Sequence, residues 1–288
     1  MELITIILST LLGVVGTGGV VVDTLAEAAL RDQIAGAESL QVRIDNVPNY
    51  QLINGRIEKT RIAARGIETR QLPGLRIDSI DLETDAVDVD LARLQQGELV
   101  LDEPAQVALR LRLKASDLNV FLQSPLVQGW LDSLQFSLPG AGGDREQNRY
   151  GLANPSLEFL EGDRFRIVVD LEDRVADENI AIAVDLGLRV LNGHRLALVD
   201  PKITVDGEDT PPQLLESFVQ GAQERLTLRL LEESGITARI LNFKVRDNEL
   251  DIAIFARIEP TSPFLTRQNA TASFRSCPPC ALGWPRLP

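Results

Sequence analysis

The feature that most constrains the fold of this chain is strict alternation of apolar and other residues over several segments. Every second residue is apolar in residues 106–114, 180–190 and 250–258. Successive side chains of an extended strand point to opposite faces, so this pattern predicts strands that are buried on one face only. The Asn192–Gly193 pair and the turn at residues 247–249 would join such strands into antiparallel hairpins. A chain built in this way forms a large sheet with one apolar face, and what covers that face becomes the functional question.

Helices are expected near the start, the middle and the end of the chain. Together with the strands they predict an α+β fold. Residues 116–134 read as a helix that Ser116 caps and that Pro125 kinks or divides. Residues 212–234 read as one long helix, because two prolines open it and apolar residues follow one stripe. Residues 75–94 read as one long strand with a bulge, since the parity of its apolar positions changes.

Three regions are expected along the chain: an apolar leader at residues 1–22, a single domain at 23–260, and a disordered tail at 261–288. The leader is long enough to span a bilayer, and its first flanking cation is Arg31. An uncleaved membrane anchor, a cleaved signal and a buried helix all remain open for it. Membrane association is the favoured expectation, but the positive-inside rule gives no sidedness without flanking Lys or Arg.

The net charge of −13, from 42 acidic and 29 basic residues, argues against nucleic acid as a partner, because phosphate binding needs clustered cations. Catalytic residues are also scarce. His194 is the one histidine, and the two cysteines, Cys277 and Cys280, lie in the tail and lack two further zinc ligands. The sequence therefore predicts a protein that is not an enzyme and needs no metal or cofactor.

Each of two charged clusters can be interpreted either as the solvated face of a strand or as a binding site. The acidic cluster could bind calcium, but it alternates with apolar residues as the solvated face of a strand does. The basic cluster precedes it and could either pair with those acids or contact lipid headgroups through Arg56, Arg61 and Arg65. The acidic cluster is Asp78, Asp81, Glu83, Asp85, Asp88 and Asp90, and the basic cluster is Arg56, Lys59, Arg61, Arg65, Arg70 and Arg76.

Several short segments carry a family resemblance. They are Val-Val-Val-Asp at 20–23, Leu-Gln-Val-Arg-Ile-Asp-Asn at 40–46, Pro-Asn-Tyr-Gln-Leu at 48–52, Gly-Arg-Ile at 55–57, Arg-Ile-Ala at 61–63, Gly66, Leu-Glu-Thr-Asp at 82–85 and Ser-Asp-Leu-Asn at 116–119. Over about residues 15 to 260 the chain resembles the LmeA-like phospholipid-binding family of bacterial envelope proteins. The shared patterns belong to strands and turns, and no catalytic residue comes with them.

The resemblance implies non-enzymatic binding or transfer of phospholipid, or another acyl-chain lipid, at a membrane or the cell envelope. It also implies an architecture similar to tubular lipid-binding domains: a long curved antiparallel sheet wraps one or two helices and leaves an apolar groove. The alternative is a structural or adaptor module of a membrane complex, whose own helices fill the apolar face. The candidates for lining a groove are Leu111, Leu186, Leu188, Leu215, Phe218, Val219, Ala222 and Leu226.

Overall fold

A computed structural model describes residues 31, 34–46, 54–70, 72–94, 100–133, 150–173, 175, 178–246, 248–263 and 265. Its strands are β1 (Ile34–Gly36), β2 (Ser39–Asp45), β3 (Arg56–Ile57), β4 (Lys59–Thr69), β5 (Arg76–Thr84), β6 (Val87–Asp88), β7 (Ala105–Lys114), β8 (Tyr150–Leu160), β9 (Arg164–Asp173), β10 (Glu178–Leu191), β11 (Arg195–Val205), β12 (Glu208–Asp209), β13 (Ile236–Arg246) and β14 (Glu249–Ile258). Its helices are α1 (Leu91–Leu94), α2 (Ala115–Leu122), α3 (Pro125–Ser133) and α4 (Pro212–Arg225), with a 3-10 helix at Leu228–Ser234. The α+β class with antiparallel sheets is confirmed.

The strands divide between two main sheets. The larger sheet has seven strands in the order β1–β4–β5–β7–β14–β13, and β2 also pairs with β4. The smaller sheet has five strands in the order β12–β11–β10–β9–β8. A two-stranded ribbon of β3 and β6 completes the described sheets. The five-stranded sheet is a run of consecutive antiparallel hairpins, inserted in the sequence between β7 and β13.

Register aligns apolar side chains into rows across the seven-stranded sheet. One such row contains Ile62, Leu82, Leu109 and Ile254, which are paired from strand to strand. Alternation places these residues on one face, and the charged residues between them on the other. The inner face forms the first hydrophobic core, which the β3–β6 ribbon and the 3-10 helix complete at one end.

The two sheets meet at a second hydrophobic cluster. Phe165 and Leu186 of the five-stranded sheet pack there with Val245 and Leu250 of the seven-stranded sheet. A hydrogen bond reinforces the junction, since the Val245 N–H donates to the side-chain carboxylate of Asp163 at 2.7 Å. The inner faces of the two sheets are therefore joined through side chains.

The long helix expected at residues 212–234 is two elements. Thr227 is extended and forms a bridge with Arg195 of β11, while the Leu196 N–H donates to the Leu226 carbonyl at 2.9 Å. The backbone at residues 226–227 therefore pairs with β11 and cannot form the hydrogen bonds of a continuous helix. Leu230, within the segment expected to continue the apolar stripe, lies in the 3-10 helix and is 55% exposed.

Two further boundaries differ from the expectation. The long strand at 75–94 ends at Thr84, because β6 leaves the sheet to pair with β3. The middle helix begins at Ala115, and Ser116 is not its cap. The amide of Ala115 instead donates to the Asn248 carbonyl of the β13–β14 turn at 3.1 Å. Pro125 does divide this segment, into α2 and α3.

The folded region continues past Pro260, since Ser262 is 1% exposed and Leu265 is 2% exposed. Leu265 belongs to the first core. Residues 1–22, the expected leader, and residues 266–288 lie outside the described residues. Within the described part of the chain, no helix combines the length and the apolar character that a membrane span requires.

Candidate functional site

The inner face of the five-stranded sheet is an apolar surface that is only partly covered. On β9 it presents Phe165, Ile167, Val169 and Leu171 at alternate positions. Phe165 is buried, Ile167 is 39% exposed, and the other two are half-buried. The residues that register aligns with them on the neighbouring strands are Leu152, Leu157 and Phe159 of β8, Ile180, Ile182, Val184 and Leu186 of β10, and Ile203 and Val205 of β11.

The equivalent face of the seven-stranded sheet is closed over much of its area. Ile62, Leu82 and Val107 are each 2–3% exposed there. The difference is not one of sequence pattern, because both sheets alternate in the same way. The difference lies in how much of each face other elements cover. On the five-stranded sheet, contacts within the described residues leave part of the apolar area unburied.

The opposite face of the five-stranded sheet carries a charge ladder. Glu158, Arg166, Asp185 and Lys202 lie side by side on four strands. The Arg166 guanidinium donates to both carboxylate oxygens of Asp185, at 2.8 and 3.0 Å, and this hydrogen bond lowers the pKa of Asp185. This row of charged side chains marks the solvent face of the sheet.

The apolar surface continues from one sheet to the other. Leu113 packs against both hydrophobic clusters. Beside it, Leu109, Leu111, Ile252 and Ile254 of the central strands are half-buried. The structure thus connects the partly open face of the five-stranded sheet with half-buried rows of the seven-stranded sheet.

The aromatic residues of this junction were not found from the sequence. The Phe159 and Phe165 rings lie edge to face with centroids 5.5 Å apart. Phe243 lies 6.0 Å from Phe165 in a tilted arrangement. Their strands were expected, but alternation does not tell which strands of different sheets come together.

The structure brings some of the groove candidates together. Leu186 is buried in the second cluster and Leu188 packs beside it, while Leu111 lies in the adjoining rows of the first. The α4 candidates lie at the other edge of the smaller sheet, where α4 packs against β11. On α4, Leu215, Val219 and Ala222 are half-buried, and Phe218 is 37% exposed. Leu226, also half-buried, lies just past the end of the helix.

Each headgroup candidate lies beside a carboxylate. Arg61 and Arg65 are on the outer face of β4 in the seven-stranded sheet, and Arg56 is on the β3–β6 ribbon. Arg56 is 3.1 Å from Asp88, and Arg65 is 2.8 Å from Asp81. Arg61 reaches both Asp45 at 2.9 Å and Glu83 at 3.2 Å. These are the ion pairs that the alternative interpretation expects, and a phosphate would have to compete with them.

The described residues show little that could perform chemistry. His194 lies in the β10–β11 turn, with its Nδ1 3.0 Å from the Asn192 carbonyl. No group of three or more His, Cys, Asp or Glu side chains in the described part of the chain could hold a metal ion. Cys277 and Cys280 lie outside the described residues.

Helix α3 exposes apolar side chains on its outer face. Leu126 is 43% exposed and Trp130, one turn later, is 59% exposed. On the other side of the same helix Val127 and Leu131 are buried. The helix packs against β8, at the edge of the five-stranded sheet.

Comparison with known proteins adds one finding. A family model described as LmeA-like phospholipid-binding matches residues 15–255, which include nearly all of both sheets. No curated protein and no solved structure matches the chain.

Proposed function

Because the chain belongs to the LmeA-like phospholipid-binding family, we propose that it binds phospholipid by burying acyl chains against the inner face of the five-stranded sheet. The observation that carries this proposal is the partial coverage of that face, with Ile167 39% exposed between apolar neighbours. The bound chains would extend onto the half-buried rows at Leu111 and Ile252. The groove candidates Leu186 and Leu188 form part of the same wall.

The dimensions support this assignment. One leaflet of a bilayer is about 15 Å of hydrocarbon, half of the core thickness. The inner positions from Phe165 to Leu171 span about 20 Å at about 3.3 Å per residue. One strand is therefore long enough to contact an acyl chain along its length.

The energetics favour apolar capture over headgroup contact. Burial contributes about 0.8 kcal/mol per CH₂, so two chains of about 15 carbons gain over 20 kcal/mol before the costs of association. One hydrogen bond to a charged group contributes about 1.5–3 kcal/mol. The net charge of −13 is for this reason no obstacle to lipid binding.

We further propose that the protein acts without catalysis, at a membrane of the cell envelope. Within the described part of the chain, the contact of the His194 ring is a backbone carbonyl, which does not make the imidazole a general base. The exposed Leu126 and Trp130 support contact with a bilayer, because Trp favours the boundary between an apolar and an aqueous phase. Flotation of the full chain with phospholipid vesicles tests this membrane association.

The test of lipid binding uses two neighbouring residues of β9. Ile167→Asp places a charge on the inner face, while Val168→Asp places the same charge on the outer face of the same strand. The purified protein is extracted with organic solvent for mass spectrometry, and binding of phosphatidylcholine is measured by calorimetry. We expect stoichiometric lipid in the unmodified protein and the Val168 variant, and a loss of at least tenfold in affinity in the Ile167 variant.

Melting temperatures separate lost binding from lost folding. A well-folded Ile167 variant with unchanged lipid affinity would refute this face as the site. An unmodified protein that carries no lipid and binds none would refute the function itself, and would favour the adaptor module.

A further inference from the structure

A cavity of about 480 Å³ opens between the five-stranded sheet and β13. Two bulges border it. The register of β10 against β11 shifts between Asp185 and Gly187, and that of β13 against β14 shifts between Ile240 and Asn242. Gly187 and Val199 both line the cavity, and they approach closely, since a Cβ on Gly187 would lie 3.2 Å from the Cβ of Val199.

Three cations from three strands line this cavity: Arg164 of β9, Arg189 of β10 and Lys244 of β13. Among the described residues, none of the three has a carboxylate within 4.0 Å. The absence of a carboxylate partner distinguishes them from the headgroup candidates Arg56, Arg61 and Arg65, each of which forms an ion pair. Arg164 donates to the backbone carbonyl of Asp200 at 3.3 Å, which leaves its other N–H groups available.

Two acids also line the cavity, but one of them is already engaged. The carboxylate of Asp163 accepts a hydrogen bond from the Val245 amide, and Asp200 is the other. The local balance is therefore three cations against two anions, in a protein whose net charge is −13. A local positive excess on such a background suits one anionic group rather than an extended polyanion.

The cavity also shares two lining residues, Leu188 and Phe243, with the hydrophobic cluster that joins the sheets. A ligand at this place would meet cations and apolar side chains together. An acidic phospholipid combines these properties, because its phosphate bears an unneutralised charge next to the acyl chains. We infer that this cavity binds the phosphate of an acidic phospholipid, an inference that rests on the proposed lipid binding.

The test compares two double variants of the full chain that remove the same charge. Arg189→Gln with Lys244→Gln removes two cavity cations. Arg195→Gln with Arg246→Gln removes two exposed cations of β11 and β13 that do not line the cavity. The probes are dihexanoyl phosphatidylglycerol, dihexanoyl phosphatidylcholine and glycerol phosphate, each titrated by calorimetry.

We expect the unmodified protein to bind phosphatidylglycerol more tightly than phosphatidylcholine. The cavity variant should lose about tenfold or more in affinity for phosphatidylglycerol, as expected for lost charge-assisted hydrogen bonds, and change within about twofold for phosphatidylcholine. The control variant should keep both affinities. Rising salt should weaken phosphatidylglycerol binding by the unmodified protein, because exposed charges are screened.

Other outcomes overturn the inference in distinguishable ways. Binding of both lipids without preference, or equal losses in both double variants, would overturn the cavity site and leave the proposed function standing. Glycerol phosphate binding as tightly as phosphatidylglycerol would show a site for a free phosphate ester and would overturn the lipid assignment. Failure to bind either lipid would overturn the proposed function, and the inference with it.

Discussion

Asn119 shows how much one side chain contributes to the placement of the helices. Its amide accepts from the Leu157 N–H and donates to the Leu157 carbonyl, both at 2.8 Å, and it also donates to the Ala115 carbonyl at 2.8 Å. It therefore pairs with β8 as a neighbouring strand would. The sequence indicated the helix around Asn119 but not this role, because the partner lies 38 residues away.

Asn119→Ala is expected to destabilise the protein by about 2–3 kcal/mol, since it leaves two half-buried backbone groups of Leu157 without their partner. Urea unfolding of the full chain measures the change. Gln128→Ala, at an exposed position of α3, should stay within about 0.5 kcal/mol. Equal effects at the two positions would contradict the role given to Asn119.

Elements with a strong local signal were the predictable part of the fold. The alternating strands β7, β10 and β14, and the turns at Asn192 and Asn248, follow from the sequence alone. The break between α4 and the 3-10 helix does not, because Thr227 is extended through its bridge to a distant strand. The groove candidates of residues 215–226 were selected on the assumption of one continuous helix over 212–234. Those on β10 were selected from the strict alternation of apolar residues, which predicted the strand correctly.

Two glycines that flank this break should respond in opposite directions to alanine. Gly235 ends the 3-10 helix with φ +69°, and a Cβ there would lie 3.0 Å from the Cα of Ser262. Gly221 lies inside α4, and a Cβ there would meet nothing within 4 Å. Gly235→Ala should cost about 1–2 kcal/mol from strain, while Gly221→Ala should stabilise by about 0.5–1 kcal/mol. Thermal unfolding of both variants measures the two stability changes. Changes in the same direction would contradict the conformations assigned to Gly235 and Gly221.

An ion pair between β7 and β14 should make stability depend on acidic pH. Arg110 donates to both oxygens of Asp251, at 2.9 and 2.7 Å, and this hydrogen bond lowers the pKa of Asp251 below its ordinary 3.8. A lowered pKa in the folded state stabilises the protein above the ordinary pKa, and the contribution is lost as pH falls through the lowered value.

The measurement is urea unfolding of the unmodified protein and of Asp251→Asn between pH 7 and pH 2.5. The unmodified protein should be the more stable of the two at pH 7, and the difference should shrink below about pH 3.8. A difference that stays constant across this range would show that the pair contributes nothing through charge.

At the scale of the whole molecule, the sequence predicted the class of fold and the presence of an apolar face, but not the division into two sheets. Sheet partners depend on contacts far apart in sequence, which alternation does not encode. Burial also continues past residue 260, where the sequence pattern stops. Leu265 follows a proline-rich turn without periodicity, yet it packs into the first core.

Removal of the residues after Pro260 is expected to destabilise the protein by about 2–5 kcal/mol, comparable to the cost of a Leu→Ala change in a core. A chain that ends at Arg267 should keep its stability. Leu265→Ala in the full chain should reproduce most of the loss. If the chain that ends at Pro260 unfolds at the same urea concentration as the full chain, the domain ends at residue 260, as expected from the sequence.

The insertion of the five-stranded sheet between β7 and β13 has a consequence for biosynthesis. The contact between Arg110 and Asp251 closes a separation of 141 residues, whereas the hairpins of β8 to β12 pair with their neighbours in the chain. A ribosome at about 5–20 residues per second needs roughly 7 to 28 seconds to make the intervening segment. During that time the β7 edge has unpaired backbone groups beside an apolar face, which is a hazard for aggregation. Nascent chains that stall before the last hairpin are therefore the species for which a chaperone matters most.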